Sequence, residues 1–111
     1  MKVYMDHGAG KPVDPRVLEV MTPYFMETYG NPASFHGKGF DALKSVNRAR
    51  QQVASLIGAE AAEIVFTSSA TEANNLGIGG ATRRYKKKGN RIILSAIEHI
   101  SSINVGKELY K

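Results

Sequence analysis

The sequence predicts an α/β fold, a mainly parallel sheet flanked by helices and left incomplete. Three observations carry that reading. Short apolar runs alternate with longer stretches of helical periodicity, in the order strand, two helices, strand, helix, strand, helix. The runs Ile64-Val65-Phe66 and Ile92-Ile93-Leu94 are apolar without alternation, as in strands covered on both faces. Three strands make a small sheet for such a layered architecture, and the last helix has no stop signal before Lys111.

Taken in order, Val3 to Asp6 is the first expected strand. The loop His7-Gly8-Ala9-Gly10-Lys11-Pro12 follows, with glycines that permit close backbone approach. Asp14-Pro15 starts a helix, Asp as N-cap and Pro at the first helical position. Val17, Leu18, Met21 and Phe25 share its apolar face, and Pro23 is expected to kink or restart it. Gly30-Asn31-Pro32 ends it and opens a polar, Gly-rich loop through Gly39. In the next helix Phe40, Leu43, Val46, Ala49, Val53, Leu56 and Ile57 step by three or four to form an apolar stripe, and Gly58 fits the left-handed stop.

The second strand, 64–66, runs into Thr67-Ser68-Ser69-Ala70-Thr71, all small and four of them hydroxylated. Ser69 and Glu72 have capping-box spacing, so a helix is expected from about Ala70 to Lys88, stopped by Gly89. Gly77, Gly79, Gly80 and Ala81 read as a place where this helix lies close against the sheet or another helix. Arg91 to Ser95 is the third strand and 96–100 a loop. Ser101 or Ser102 is expected to cap the last helix, which carries Val105, Leu109 and Tyr110.

The chain has 111 residues, a formal net charge of +5 and no Cys, which excludes disulfides and a Cys nucleophile within it. No apolar run is long enough to span a bilayer, and the N-terminus lacks a signal-type apolar stretch. A soluble cytoplasmic protein is expected, with neither membrane nor nucleic acid as partner. The basic cluster Arg83-Arg84 with Lys86-Lys87-Lys88 falls at a helix end, where cations complement the dipole. It lacks the interleaved aromatics that stack bases.

Ligands of open parallel sheets sit beyond the carboxyl ends of the strands. Thr67–Thr71 and Glu98–His99 both occupy such ends, as does His7–Lys11. A helix N-terminus among small hydroxylated residues has the chemistry of a phosphate cup, and equally that of an ordinary capped helix. With His99 on a neighbouring strand end, the pair suits a phosphorylated aromatic cofactor, the His stacking on the ring. Alternatively His99 is a polar loop residue. The three His residues lack metal-ligand spacing, and Lys11 stands in an open loop with no apolar wall to make it a Schiff-base lysine.

Four separated motifs carry a family resemblance. Tyr4-Met5-Asp6 with Pro12-Val13-Asp14-Pro15, Gly30-Asn31-Pro32-Ala33-Ser34-Phe35-His36, Phe66-Thr67-Ser68-Ser69-Ala70-Thr71-Glu72-Ala73-Asn74-Asn75 and Ser95-Ala96-Ile97-Glu98-His99 together resemble the start of NifS/IscS-type cysteine desulfurases. These belong to the class V aminotransferase group of pyridoxal-phosphate enzymes. The likeness spans the chain in order, and the Asn-Pro-x-Ser-x-His loop points to this branch rather than the SufS-like one.

The resemblance implies the N-terminal portion of a fold-type I PLP-transferase large domain. Residues 1–30 would be a strand-and-helix arm and 31–111 the first part of the cofactor-binding domain. It implies pyridoxal 5′-phosphate as cofactor, L-cysteine as substrate, L-alanine as product, and an iron–sulfur scaffold or other sulfur acceptor as partner to a homodimer. Ala70 and Thr71 match positions that bind the cofactor phosphate. His99 matches the His that stacks on the pyridine ring and takes part in proton transfer. Asn31, His7 and Gly8 match the substrate region. Two departures stand out: the first loop, Asp6-His7-Gly8-Ala9-Gly10-Lys11-Pro12, where relatives have Asp-Asn-Ala-Ala-Thr-Thr-Pro, and Ser69, where they have Gly. The Schiff-base Lys, the Asp facing the pyridine nitrogen and the persulfide Cys match nothing before Lys111, so the chain alone is expected to be inactive. The competing expectations are a non-catalytic partner module, a small phosphate- or nucleotide-binding domain and, last, a basic RNA-binding domain.

Overall fold

The computed structural model describes residues 1–110. The elements are α1 (Pro15–Met26), α2 (Gly37–Ile57), a 3-10 turn (Ala61–Glu63), α3 (Ala70–Tyr85) and α4 (Ile100–Tyr110). The chain forms two compact units, one of residues 1–64 and one beginning at Val65. The second part of the expected 31–111 division ends on Lys111, outside the described residues.

The expected strands at 3–6, 64–66 and 91–95 are absent among the described residues. Ile64 has extended dihedrals, φ −90° and ψ 125°. An extended segment becomes a strand only when a neighbour takes its N–H and C=O groups, and no ladder of that kind joins these runs. The sheet is therefore not formed within this structure.

In the first unit, Asp14 caps α1 as its spacing predicts. Its carboxylate accepts the Arg16 N–H at 2.9 Å and is gripped by the Arg16 guanidinium at 3.0 and 2.7 Å. That guanidinium, and then the backbone N–H, holds the Asp14 carboxyl below its ordinary pKa. The helix does not restart at Pro23. It runs through to Met26, and the Pro23 carbonyl accepts the N–H groups of Glu27 and Thr28 at 2.8 Å each. Lys38 Nζ then donates to the Glu27 carbonyl at 2.9 Å and lies 4.5 Å from the centre of the Tyr29 ring.

α2 starts three residues before the first stripe residue, Phe40. His36 is its N-cap, the imidazole Nδ1 accepting the Gly39 N–H at 3.3 Å. Gly58 stops it at φ 69°, ψ 31°, as expected of a left-handed stop. The 3-10 turn closes when Glu63 accepts the Glu60 N–H at 2.9 Å, and Arg50 of α2 donates to the Ile64 carbonyl.

The apolar stripe of α2 is not a buried core. Phe40 is 51% exposed and Leu56 84%, whereas the small residues Ala42 and Ala54 are buried. α1 likewise buries none of its residues. An amphipathic helix buries its stripe only where a second layer covers it, and among the described residues of the first unit α1 and most of the α2 stripe stay uncovered.

In the second unit α3 packs against α4, with Gly79, Val105, Ser101 and Ser102 buried. α3 ends at Tyr85, with Lys86 as C-cap, rather than at Gly89; the Lys88 N–H closes a turn on the Tyr85 carbonyl at 2.7 Å. Gly77 and Gly80 face open space, and an added Cβ at Gly79 would meet only the Arg83 guanidinium at 3.5 Å. The expected close approach at these glycines is absent among the described residues; α4 is instead tied to α3 through Asn74.

Candidate functional site

The start of α3 is built by reciprocal capping. Ser69, extended at φ −162° and ψ 161°, accepts the Glu72 N–H on its hydroxyl oxygen at 3.2 Å. Glu72 does not close the box on Ser69. Its carboxylate reaches one residue further and accepts both the N–H and the hydroxyl of Ser68, at 2.7 and 2.8 Å. Two donors on one residue outweigh the single Ser69 amide.

The Ser68 N–H, and then its hydroxyl, hold the Glu72 carboxyl below its ordinary value of 4.5. A depressed folded-state pKa contributes stability that is complete above the unfolded value and is lost as pH falls through the folded one. Urea midpoints measured between pH 6 and pH 3 are expected to fall less steeply for Glu72→Gln than for the wild type. Identical slopes would show that the carboxylate clip does not form.

This capping leaves part of the helix end open. Ala73 N–H bonds the Ser69 carbonyl at 3.0 Å, while the amides of Ala70 and Thr71 carry no hydrogen bond among the described residues. Both residues are exposed and small. The Thr71 carbonyl is engaged by Asn75 Nδ2 at 2.8 Å, and the Thr71 hydroxyl makes no hydrogen bond among the described residues. Two free amides on a positive dipole end can hold an anion, so the donor set suits a phosphate.

The start of α4 departs from expectation. Neither Ser101 nor Ser102 is the N-cap; His99 is. Its Nδ1 accepts the Ser101 N–H at 3.2 Å, and its carbonyl accepts the Ser102 N–H at 2.9 Å. An imidazole nitrogen reaches the second helical amide as an Asx or Ser oxygen would. Ser101 and Ser102 turn their hydroxyls instead toward α3, where Asn74 Nδ2 donates to them at 2.8 and 3.3 Å. Ser101 Oγ also lies 2.8 Å from His99 Nδ1.

Thus Ala70, Thr71 and His99 share one unit. Asn74, the residue that anchors the start of α4, lies three residues beyond Thr71, about 4.5 Å along the helix. His7, Gly8 and Asn31 belong to the other unit. There the His7 ring meets Tyr4 edge-on at 5.0 Å, and nothing lies within 4 Å of where a Gly8 side chain would start. Asn31 Oδ1 accepts the Ala33 N–H at 2.9 Å. Asn74 and Ser101 are the contributors that sequence reasoning passed over. Asn74 sat in a motif and Ser101 was read only as a cap candidate, but nothing local links residues 27 apart.

None of the expected site residues lines the open groove of about 780 Å³ between residues 90–96 and α4. No cluster of three or more His, Asp or Glu residues able to hold a metal occurs among the described residues. No helix there is long and apolar enough to cross a membrane.

Comparison with known proteins gives one consistent neighbourhood. The profile of the family "Aminotransferase class-V" matches residues 3–111. A protein of Frankia sp. (strain EuIK1) named cysteine desulfurase is 55% identical over 97 residues, covering 87% of this chain and 23% of that protein. A protein of Archaeoglobus fulgidus named cysteine desulfurase IscS 1 is 46% identical over 108 residues, covering 97% and 28%. Among solved structures, a NifS-like protein superposes with a TM-score of 0.86 at 40% identity, over 99% of this chain and 30% of its own. The chain spans about a quarter of the length of the curated relatives it matches.

Proposed function

The chain belongs to the class V aminotransferase family, and from that membership we propose that it is a segment of a pyridoxal-phosphate-dependent cysteine desulfurase. In this reading the complete enzyme takes sulfur from L-cysteine, releases L-alanine and passes the sulfur to an iron–sulfur scaffold or another acceptor. It works in the cytoplasm as a homodimer, with neither membrane nor nucleic acid as partner. Residues 1–30 form the arm, and 31–111 the first part of a large domain whose parallel sheet is completed outside this chain.

The observation that carries the proposal is the pair of helix starts in the second unit. The free Ala70 and Thr71 amides stand one turn from the residue that anchors the His99 end. The amides of Ala70 and Thr71, with the Thr71 hydroxyl, hold the cofactor phosphate on the positive end of α3. Pyridoxal phosphate, when bound, supplies the electron sink that makes carbon–sulfur cleavage feasible. The flat His99 ring stacks against the pyridine and carries a proton at Nε2, since Nδ1 is engaged by the α4 cap. Asn31, His7 and Gly8 of the first unit are the residues proposed for the substrate region, each assigned by the family motif.

The test is to produce the full-length polypeptide carrying this segment and add pyridoxal 5′-phosphate and L-cysteine. Bound-cofactor absorbance and alanine release are expected. Thr71→Ala is expected to weaken cofactor retention by roughly 10-fold, the loss of about 1.5 kcal/mol for a hydrogen bond to a charged group. A full-length protein that binds no pyridoxal phosphate would overturn the proposal.

A further inference from the structure

His99 is the end point of a chain of donors that all point one way. The Ser101 backbone N–H can only donate, and it lies 3.2 Å from Nδ1. Nδ1 is therefore the acceptor, and the neutral ring carries its proton on Nε2. The Ser101 hydroxyl lies 2.8 Å from the same nitrogen. A lone serine hydroxyl could either donate to or accept from an imidazole.

Asn74 removes that choice. Its Nδ2 donates to Ser101 Oγ at 2.8 Å, placing a proton against the oxygen's lone pair and turning the serine hydrogen toward Nδ1. The same amide nitrogen makes a second contact to Ser102 Oγ, at 3.3 Å. Ser101 and Ser102 are 5% and 8% exposed, so bulk water does not compete freely for these bonds. An Nδ1–H tautomer would set a proton against two donors.

We propose that Asn74 and Ser101 are positioning residues for His99, acting through a one-way hydrogen-bond relay that selects the Nε2–H tautomer and fixes the ring's rotation. The relay spans α3 and α4, so the element that offers the phosphate cup also orients the histidine. What Nε2–H meets rests on the desulfurase reading; the tautomer does not.

The test reads the tautomer directly. Two-bond proton–nitrogen NMR on the ¹⁵N-labelled full chain distinguishes a bare from a protonated Nδ1, and the His99 signals are identified by their loss in His99→Gln. The wild type is expected to show a bare Nδ1 and a protonated Nε2. Ser101→Ala and Asn74→Ala are each expected to introduce a measurable Nδ1–H population, with circular dichroism unchanged. Ser101→Thr keeps the hydroxyl and is expected to restore the single tautomer, a rescue that a merely structural role would not produce.

A tautomer mixture in the wild type overturns the proposal. So does a pure Nε2–H form surviving in both Ser101→Ala and Asn74→Ala, because the backbone cap alone would then suffice. A single tautomer in a full-length protein that binds no pyridoxal phosphate would sink the functional reading and leave the relay standing. Cofactor binding beside a mixed tautomer would do the reverse.

Discussion

Replacing His99 with Asn in the full-length polypeptide carrying this segment is expected, on the proposed desulfurase function, to lower kcat by about 10²- to 10⁴-fold, the range lost when a general acid–base group is removed. The choice of Asn separates chemistry from folding. His99 is both the proposed proton carrier and the observed N-cap of α4, its Nδ1 accepting the Ser101 N–H. His99→Ala removes both roles and adds the loss of a cap, about 1 kcal/mol. Asn is among the best N-cap residues and its oxygen can take over the Ser101 amide. It restores the helix start without a titrating ring or an aromatic face. Steady-state kinetics with L-cysteine, alongside thermal melts, check this. A His99→Asn enzyme with wild-type melting and near-wild-type kcat would remove His99 from the chemistry.

The second large effect is on stability, at Gly39. This residue is buried at the start of α2, and its N–H caps onto His36. A Cβ there would land on the Ser34 carbonyl oxygen, 2.9 Å from the Ser34 carbonyl carbon and 3.0 Å from the Asn31 carbonyl oxygen. All three are backbone atoms. They are held in place because Asn31 accepts the Ser34 N–H on its carbonyl and the Ala33 N–H on its side chain, each at 2.9 Å. No rotamer change relieves such a clash.

Gly39→Ala is expected to cost about 1–3 kcal/mol, the range for overpacking, even though Ala favours the helix by about 1 kcal/mol. Gly37 is the control. Two residues earlier, with nothing within 4 Å of the added atom, Gly37→Ala is expected to be neutral or stabilising by about 0.5 kcal/mol. Urea midpoints of the two variants should move in opposite directions. Equal midpoints would mean that the 31–39 loop does not close against α2.

What could be read from residues alone was what lies within about four positions. Asp14-Pro15 before an apolar face, Gly58 after one, and Ser69 three residues before Glu72 each became the cap expected of it, because a side chain reaches only its own turn. The family motifs were legible for the same reason, since each is a continuous run. Local rules also failed where two solutions competed. His99, Ser101 and Ser102 could all serve the start of α4. The histidine took it, because Asn74 of α3 claimed both serine hydroxyls from 27 and 28 residues away.

The remaining misreadings share that cause. Residues 91–95 and 64–66 have strand composition but no ladder, because parallel pairing depends on a distant neighbour that composition does not specify. The stripe of α2 is amphipathic yet uncovered, and Gly77 and Gly80 face open space, because burial belongs to whatever packs against a helix. The sequence by itself determined where the helices fall, the caps at Asp14, Gly58 and Ser69, and the family. Only the tertiary structure decided which hydroxyls meet which amide, and that the histidine ends as an acceptor at Nδ1, since those contacts form when α3 and α4 pack.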